Sequence, residues 1–341
     1  TMRKNHAAYF TTLVEESAPN LQNASSGEWF NRIDAEQPNL RAALGWSLNQ
    51  ESATAARLAA SLRHFWIFRG HLTEGQRWLE AALECSNDDL DSTVRFNLLN
   101  GLGSLLWYEG NYDKARKIFE EGLNLSRAIG DKRKIALICK SLGPIIGWLG
   151  DYDTAQKYIE EAITISRELN DKFVIAGSMN ALGDLLRVRG KNLEARPCFE
   201  ESLAICRQLK QQDSVGSNLL NLGAVEFREG DFAAAGTYFA EAFALGMELK
   251  HKIIISYSLE GLGALMTREG QSKNAAVLAG AADNLRESIG YEIEPAERQF
   301  RDEYLLDLRA ALSKEEFEIA FEQGSKLKMD EIPALTSLIK Q

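Results

Sequence analysis

Residues Leu102–Asp131 read LGSLLWYEGNYDKARKIFEEGLNLSRAIGD. An apolar run of helical length ends at Gly110, and a second amphipathic run follows it. Displaced by 40 residues the stretch recurs as LGPIIGWLGDYDTAQKYIEEAITISRELND from Leu142, then as LGDLLRVRGKNLEARPCFEESLAICRQLKQ from Leu182 and LGAVEFREGDFAAAGTYFAEAFALGMELKH from Leu222. A fainter copy begins at Leu262. Gly70, Gly110, Gly150, Gly190, Gly230 and Gly270 are each 40 residues apart, as are Ala115, Ala155, Ala195, Ala235 and Ala275. Self-similarity at one period predicts helical pairs that stack on their neighbours, because a single pair cannot bury its apolar face alone.

Within one repeat each residue type has a physical task. Leu137, Ile138, Leu142, Ile145 and Ile146 recur at three-to-four spacing, which predicts an amphipathic helix A. Gly150 suits the left-handed turn that ends it, and Asp151 or Asp153 can cap helix B. Helix B carries Ala155, Tyr158, Ile159, Ala162, Ile163, Ile165 and Leu169 on one side. Each helix should span about 17 residues, roughly 25 Å. Small residues at 103/115, 143/155, 183/195, 223/235 and 263/275 let the two helices approach closely. Phe119, Ile159, Phe199 and Phe239 are expected to wedge towards the next repeat.

The Leu-Gly pair, the turn glycine, the aromatic after it (Tyr112, Tyr152, Phe232), the alanine and the Phe/Ile position together resemble the tetratricopeptide repeat (TPR) family. An ordinary TPR has 34 residues, so a period of 40 lengthens both helices by up to a turn. The resemblance implies an all-α, right-handed superhelical solenoid of antiparallel helix pairs. Six repeats over 51–290 would stand between an N-terminal helical cap, 1–50, and a C-terminal cap, 291–341.

At the N-terminus Tyr9, Phe10, Leu13 and Val14 mark an inward helix face. Ser25 and Glu28 form a capping-box pattern, and Pro38 suits the first turn of a further helix. Helix then resumes by Ala53 and should run to Arg69. Asn87–Asp91 is a polar joint. Pro144 lies within a helix A and predicts a kink there. Pro295 opens a helix with Phe300, Tyr304, Leu305 and Leu308 on one face. Ser313 and Glu316 form another capping box, and a last short helix is expected over about 330–340.

The two ends also carry a narrower resemblance. His6 to Phe10, Trp29-Phe30, Asp34 to Glu36 and Asn39 to Trp46 look like the segment after the nucleotide-binding module of bacterial STAND signalling ATPases. Ala276 to Gly290 with Pro295 and Leu312 to Phe317 looks like the tail of the same proteins. No GxxxxGK[ST] stretch is present. The resemblance therefore implies the sensor half of a transcriptional regulator, with an ATPase upstream of Thr1.

Composition narrows the partners. The formal charge is −10, and an acidic surface argues against direct nucleic-acid binding. No leader and no membrane-spanning run is legible, which predicts a cytoplasmic protein. Cys85, Cys139, Cys198 and Cys206 have no metal or redox spacing and read as small buried hydrophobes. The four histidines do not cluster in sequence, and no catalytic, cofactor or metal motif occurs. The chain is thus expected to be non-enzymatic, with no cofactor, and the caps favour a monomer.

The candidate site is the concave groove lined by helix A. By register it holds Asn100, Lys140, Asn180 and Asp184. It also holds an aromatic patch of Trp107, Tyr108 and Trp148 that grades into arginines Arg187, Arg228 and Arg268. Amides, aromatics and guanidinium groups suit a peptide, a protein segment or a small effector. A free-standing scaffold that assembles other proteins is the competing expectation.

Overall fold

A computed structural model describes residues 2–22, 26–86, 90–332 and 335. The described residues form seventeen α-helices and a 3-10 turn, with no strand. The chain divides into two compact units. The first extends to Ala181 and includes Gln208–Gln211; the second holds Leu182–Arg207 and the chain from Gln212 onward.

The first unit opens with α1 (Met2–Ser17), α2 (Ser26–Gln50), α3 (Ser52–Ser61), α4 (Arg63–Arg69) and α5 (Leu72–Glu84). The regular pairs follow as α6 (Ser92–Tyr108) with α7 (Tyr112–Ile129), and α8 (Lys132–Trp148) with α9 (Tyr152–Glu168). Helix α10 (Lys172–Val188) carries the border between the units. The second unit continues with α11 (Asn192–Leu209), α12 (Gln212–Glu229), α13 (Phe232–Leu249), α14 (Lys252–Arg268) and α15 (Ser272–Glu287). It ends with α16 (Pro295–Ala311) and α17 (Lys314–Ser325). Helices packed on their sequence neighbours across short turns are antiparallel pairs, the TPR-like solenoid arrangement.

The period is visible in the backbone. Gly70, Gly110, Gly150, Gly190, Gly230 and Gly270 all take positive φ, between 72° and 97°. Asp131, Asp151 and Asp231 accept backbone N–H bonds at helix starts, and of the two candidates after Gly150 it is Asp151 that caps α9. The second set of turns needs left-handed residues too. Gly130, Asn170, Lys210, Lys250 and Gly290 have φ of 72°, 51°, 57°, 55° and 65°. Lysine bears a Cβ cost there. Lys250→Gly is therefore expected to raise stability by about 0.5–1 kcal/mol, seen as a higher denaturant midpoint. A lower midpoint would mean that lysine contacts outweigh the backbone strain.

The small positions do what their size allows. A Cβ on Gly103 would lie 2.7 Å from the Phe119 ring, and one on Gly183 2.5 Å from Phe199. One on Gly143 would lie 2.5 Å from Ile159 and 3.2 Å from the Ala155 carbonyl. So Phe119, Ile159 and Phe199 rest on the glycine of their own repeat rather than wedging only towards the next. Phe239 does both, since a Cβ on Gly223 or on Gly261 would meet it at 2.6 Å.

Four local expectations need correction or bounding. Helix α2 runs unbroken through Pro38; a proline forfeits one i−4 bond, and Phe30, Ile33, Leu40 and Leu44 stay buried on either side of it. Pro144 lies inside α8, as its place in a helix A predicts, and the helix continues without a break there. The helix expected over 53–69 is two, α3 and α4, broken at Leu62. Ser25, most of the 87–91 joint and most of the last short helix fall outside the described residues.

The segment after α15 does not simply continue the stack. Helix α17 starts at the expected Ser313/Glu316 capping box and lies backbone-to-backbone on α15. A Cβ on Gly280 would sit 2.0 Å from the Phe321 carbonyl oxygen, and one on Gly324 1.9 Å from that of Val277. Helix α16 instead reaches across the A helices of its unit.

Candidate functional site

In the first unit Trp107, Tyr108 and Trp148 lie together. Trp107 stacks on Tyr108 with ring centroids 5.9 Å apart and meets Trp148 of the neighbouring helix A edge-on at 5.5 Å. Tyr112 closes the cluster against Trp148 at 5.3 Å. These rings are half-buried, so part of their surface faces outward. The Trp107 indole nitrogen is buried with no hydrogen-bond acceptor. Asn100, Lys140 and Asn180 are also half-buried. Asn100 lends its carbonyl to the Ser104 hydroxyl at 2.7 Å, an ordinary helix-surface bond. The Lys140 stem lies over Gly177, where an added Cβ would meet Lys140 Cδ at 2.6 Å.

Arg63 and His64 of α4 join this face although register reading passes them over. Arg63 Nη2 lies 2.7 Å from His64 Nε2. The Arg63 stem runs against Gly101 of α6, at 3.4 Å from a built Cβ. The charges of Arg63 and Lys140 both reach His64. Burial, then those two charges, holds the imidazole well below its ordinary pKa.

The predicted residues of the second unit are engaged within the chain. Arg187 is ion-paired to Glu297 of α16, with Asp184 3.9 Å away. Arg228 is ion-paired to Glu303, also of α16. Arg268 stacks on the Phe232 ring, 4.1 Å from its centroid. Between the two ion pairs, Phe300 of α16 meets Phe227 at 5.3 Å and Phe239 at 6.5 Å. Of the arginines that the register offered to a ligand, Arg187 and Arg228 thus hold an acidic and aromatic helix of the same chain, and Arg268 packs on α13.

Helix α16 is further anchored through Arg301. It donates Nε to Glu260 at 3.0 Å and grips both Asp283 oxygens at 2.7–2.8 Å. Glu260, 2% exposed, also pairs with Arg286 at 2.6 Å. Near Glu297 the carboxylates outnumber the cations. Burial pushes Asp184 up to about 7 against the pull of Arg187, and Glu294 up to about 8 with Asp184 and Glu297 adding to it.

No catalytic arrangement emerges around these groups. Among the described residues no set of three or more His, Cys, Asp or Glu side chains is placed to hold a metal ion. All four cysteines are free thiols, and burial raises Cys139 to about 12, far from a reactive thiolate. No described helix is long and apolar enough to cross a membrane.

Residues 96–129 and 135–208 match tetratricopeptide repeat models. The chain carries TPRs. A Rap protein complexed with Competence and Sporulation Factor aligns over 97% of this chain and 90% of its own, at 14% identity and a TM-score of 0.58. NprR in complex with its cognate peptide NprX aligns over 98% of both chains, at 12% identity and a TM-score of 0.55. A STAND protein with a TPR sensor from Pyrococcus horikoshii aligns over 81% of this chain and 43% of its own, at 14% identity and a TM-score of 0.55. At these identities the likeness is one of fold. HTH-type transcriptional regulators of Mycobacterium bovis and Mycobacterium tuberculosis are 36% identical over 80 residues. That match spans 23% of this TPR chain and 9% of each regulator.

Proposed function

We propose that this TPR chain is a non-enzymatic, ligand-sensing region of a bacterial signalling or transcriptional regulator, acting in the cytoplasm. Its ligand is a peptide or a protein segment, held on the A-helix face of α4, α6 and α8. One observation carries the reading. The corresponding face of the second unit already holds a peptide-like element, α16, through Arg187–Glu297, Arg228–Glu303 and the Phe300 contacts. The same kind of face in the first unit offers half-buried aromatic area and amide and cationic groups. Aromatic anchors of this type dominate recognition energies. The TPR folds seen with Competence and Sporulation Factor and with NprX support a peptide ligand, and the regulator match supports the signalling context.

The test is selection of a random phage-displayed peptide library on the full chain. Peptides should be enriched, and Trp107→Ala should weaken their binding by about tenfold or more. No enrichment over bare resin, or equal binding to the variant, would contradict the proposal.

A further inference from the structure

Arg63 breaks the repeat where nothing in the packing asks it to. Its register partner one period on is Gly103, since 63 plus 40 is 103, and the following repeats keep glycine at 143, 183, 223 and 263. At 103, 143, 183 and 223 the glycine admits a large side chain of helix B. The first repeat meets the same need differently: Gly75 of α5 receives the Trp66 ring, 2.7 Å from a built Cβ. The helix breaks at Leu62, next to Arg63, and the Arg63 stem runs against Gly101 of α6. A local rule broken without a structural gain marks a position kept for function.

The guanidinium also lacks the partner that its neighbours have. Arg41, Arg57, Arg69, Arg95, Arg127 and Arg133 of the same unit each hold a carboxylate at 2.6–2.9 Å. Among the described residues no carboxylate lies within ion-pair distance of Arg63, which is half-buried. Its hydrogen-bond partner is the His64 ring. Burial with no opposing carboxylate draws Arg63 down to about 10, still cationic at neutral pH.

We propose that Arg63, His64 and Lys140 bind a phosphoryl group of the ligand, beside the stacked Trp107 and Tyr108. This deepens, and rests on, the reading of the A-helix face as the ligand surface. Two basic side chains beside an imidazole suit a dianion better than a monoanionic carboxylate. The forked guanidinium matches two phosphoryl oxygens at once. Gly101 and Gly177 hold the two long stems in place, and the adjacent rings suit an aromatic or apolar body on the phosphoryl-bearing molecule.

Phenyl phosphate is the probe, titrated calorimetrically into the full chain, with benzoate as the carboxylate comparison. Phenyl phosphate should bind about tenfold or more tightly than benzoate, and Arg63→Met should weaken it by about tenfold or more. Arg228→Met, whose guanidinium is held by Glu303, should leave it unchanged. Absent binding, equal binding by Arg63→Met, or equal affinity for benzoate would overturn the proposal. Should Arg63→Met fail to fold, the His64 imidazole resonances of the wild-type chain decide: they should shift on adding phenyl phosphate, and unmoved resonances would overturn it. Loss of peptide enrichment with phenyl phosphate binding intact removes the peptide reading alone. The reverse result removes the phosphoryl site alone.

Discussion

Glu260→Ala is expected to cost about 3–5 kcal/mol, the cost typical of breaking a buried ion pair by removing one partner. Glu260 is 2% exposed and receives Arg286 at 2.6 Å and Arg301 at 3.0 Å. Its removal leaves both guanidinium groups facing Asp283 alone. Arg301 is the inner anchor of α16, so the loss should fall there first. Denaturant unfolding should show the lower stability, and hydrogen exchange should show α16 amides opening ahead of those of α14. Replacing Glu260, Asp283, Arg286 and Arg301 together with neutral residues should cost much less than the single change, because no charge of the network is left uncompensated. A single-variant loss below about 1 kcal/mol would show that Phe300 and its aromatic neighbours, not the ion network, hold α16.

Raising the pH from 6 to 9 is expected to loosen the start of α16. Asp184 and Glu294 titrate near 7 and 8, above their ordinary values, because burial favours their neutral forms. The sign follows from linkage. The folded state binds these protons more tightly than the unfolded one, so the stabilisation is full below the ordinary carboxylate range and is lost as pH rises through 7 and then 8. The groups facing the pair are Arg187, Glu297, Tyr257, Tyr291 and the Asn221 amide. Of these, Arg187 is the one cation; the Asn221 and Tyr291 hydrogen bonds also favour the charged forms but do not offset the burial. At about 1.4 kcal/mol per pKa unit, and with part of the gain lost to solvent screening, the fall should be about 2–4 kcal/mol. The midpoint of chemical denaturation at the two pH values measures it. The double variant Asp184→Asn, Glu294→Gln should flatten the profile. A wild-type midpoint that stays level or rises would contradict the assignment.

What could be read from the chain follows from its period. Leu142, Gly143, Gly150 and Ala155 recur at fixed offsets, so the helix pairs, their turns and the outward positions of helix A come out by translation along the sequence. Trp107, Tyr108 and Trp148 were legible for that reason. Helix α16 lies outside the repeats. Its Phe300, Tyr304, Leu305 and Leu308 stripe declares a buried face, but an amphipathic pattern does not say which surface covers it. Hence the engagement of Arg187, Arg228 and Glu260 by Glu297, Glu303 and Arg301 could not be foreseen. Arg63 was missed for a different reason. The repeat signal weakens in the first copy, and a position where the period fails looks like drift until its missing counter-ion is seen.

The central claim is that the A-helix face of the first unit receives the ligand. Hydrogen exchange of the full chain, with and without a peptide enriched by the selection, tests it most directly. Slower exchange should concentrate in α6 and α8 around Trp107, Tyr108, Lys140 and Trp148, with α7 and α9 unchanged. Protection confined to α7 and α9 would put the ligand on the B-helix side and contradict the account.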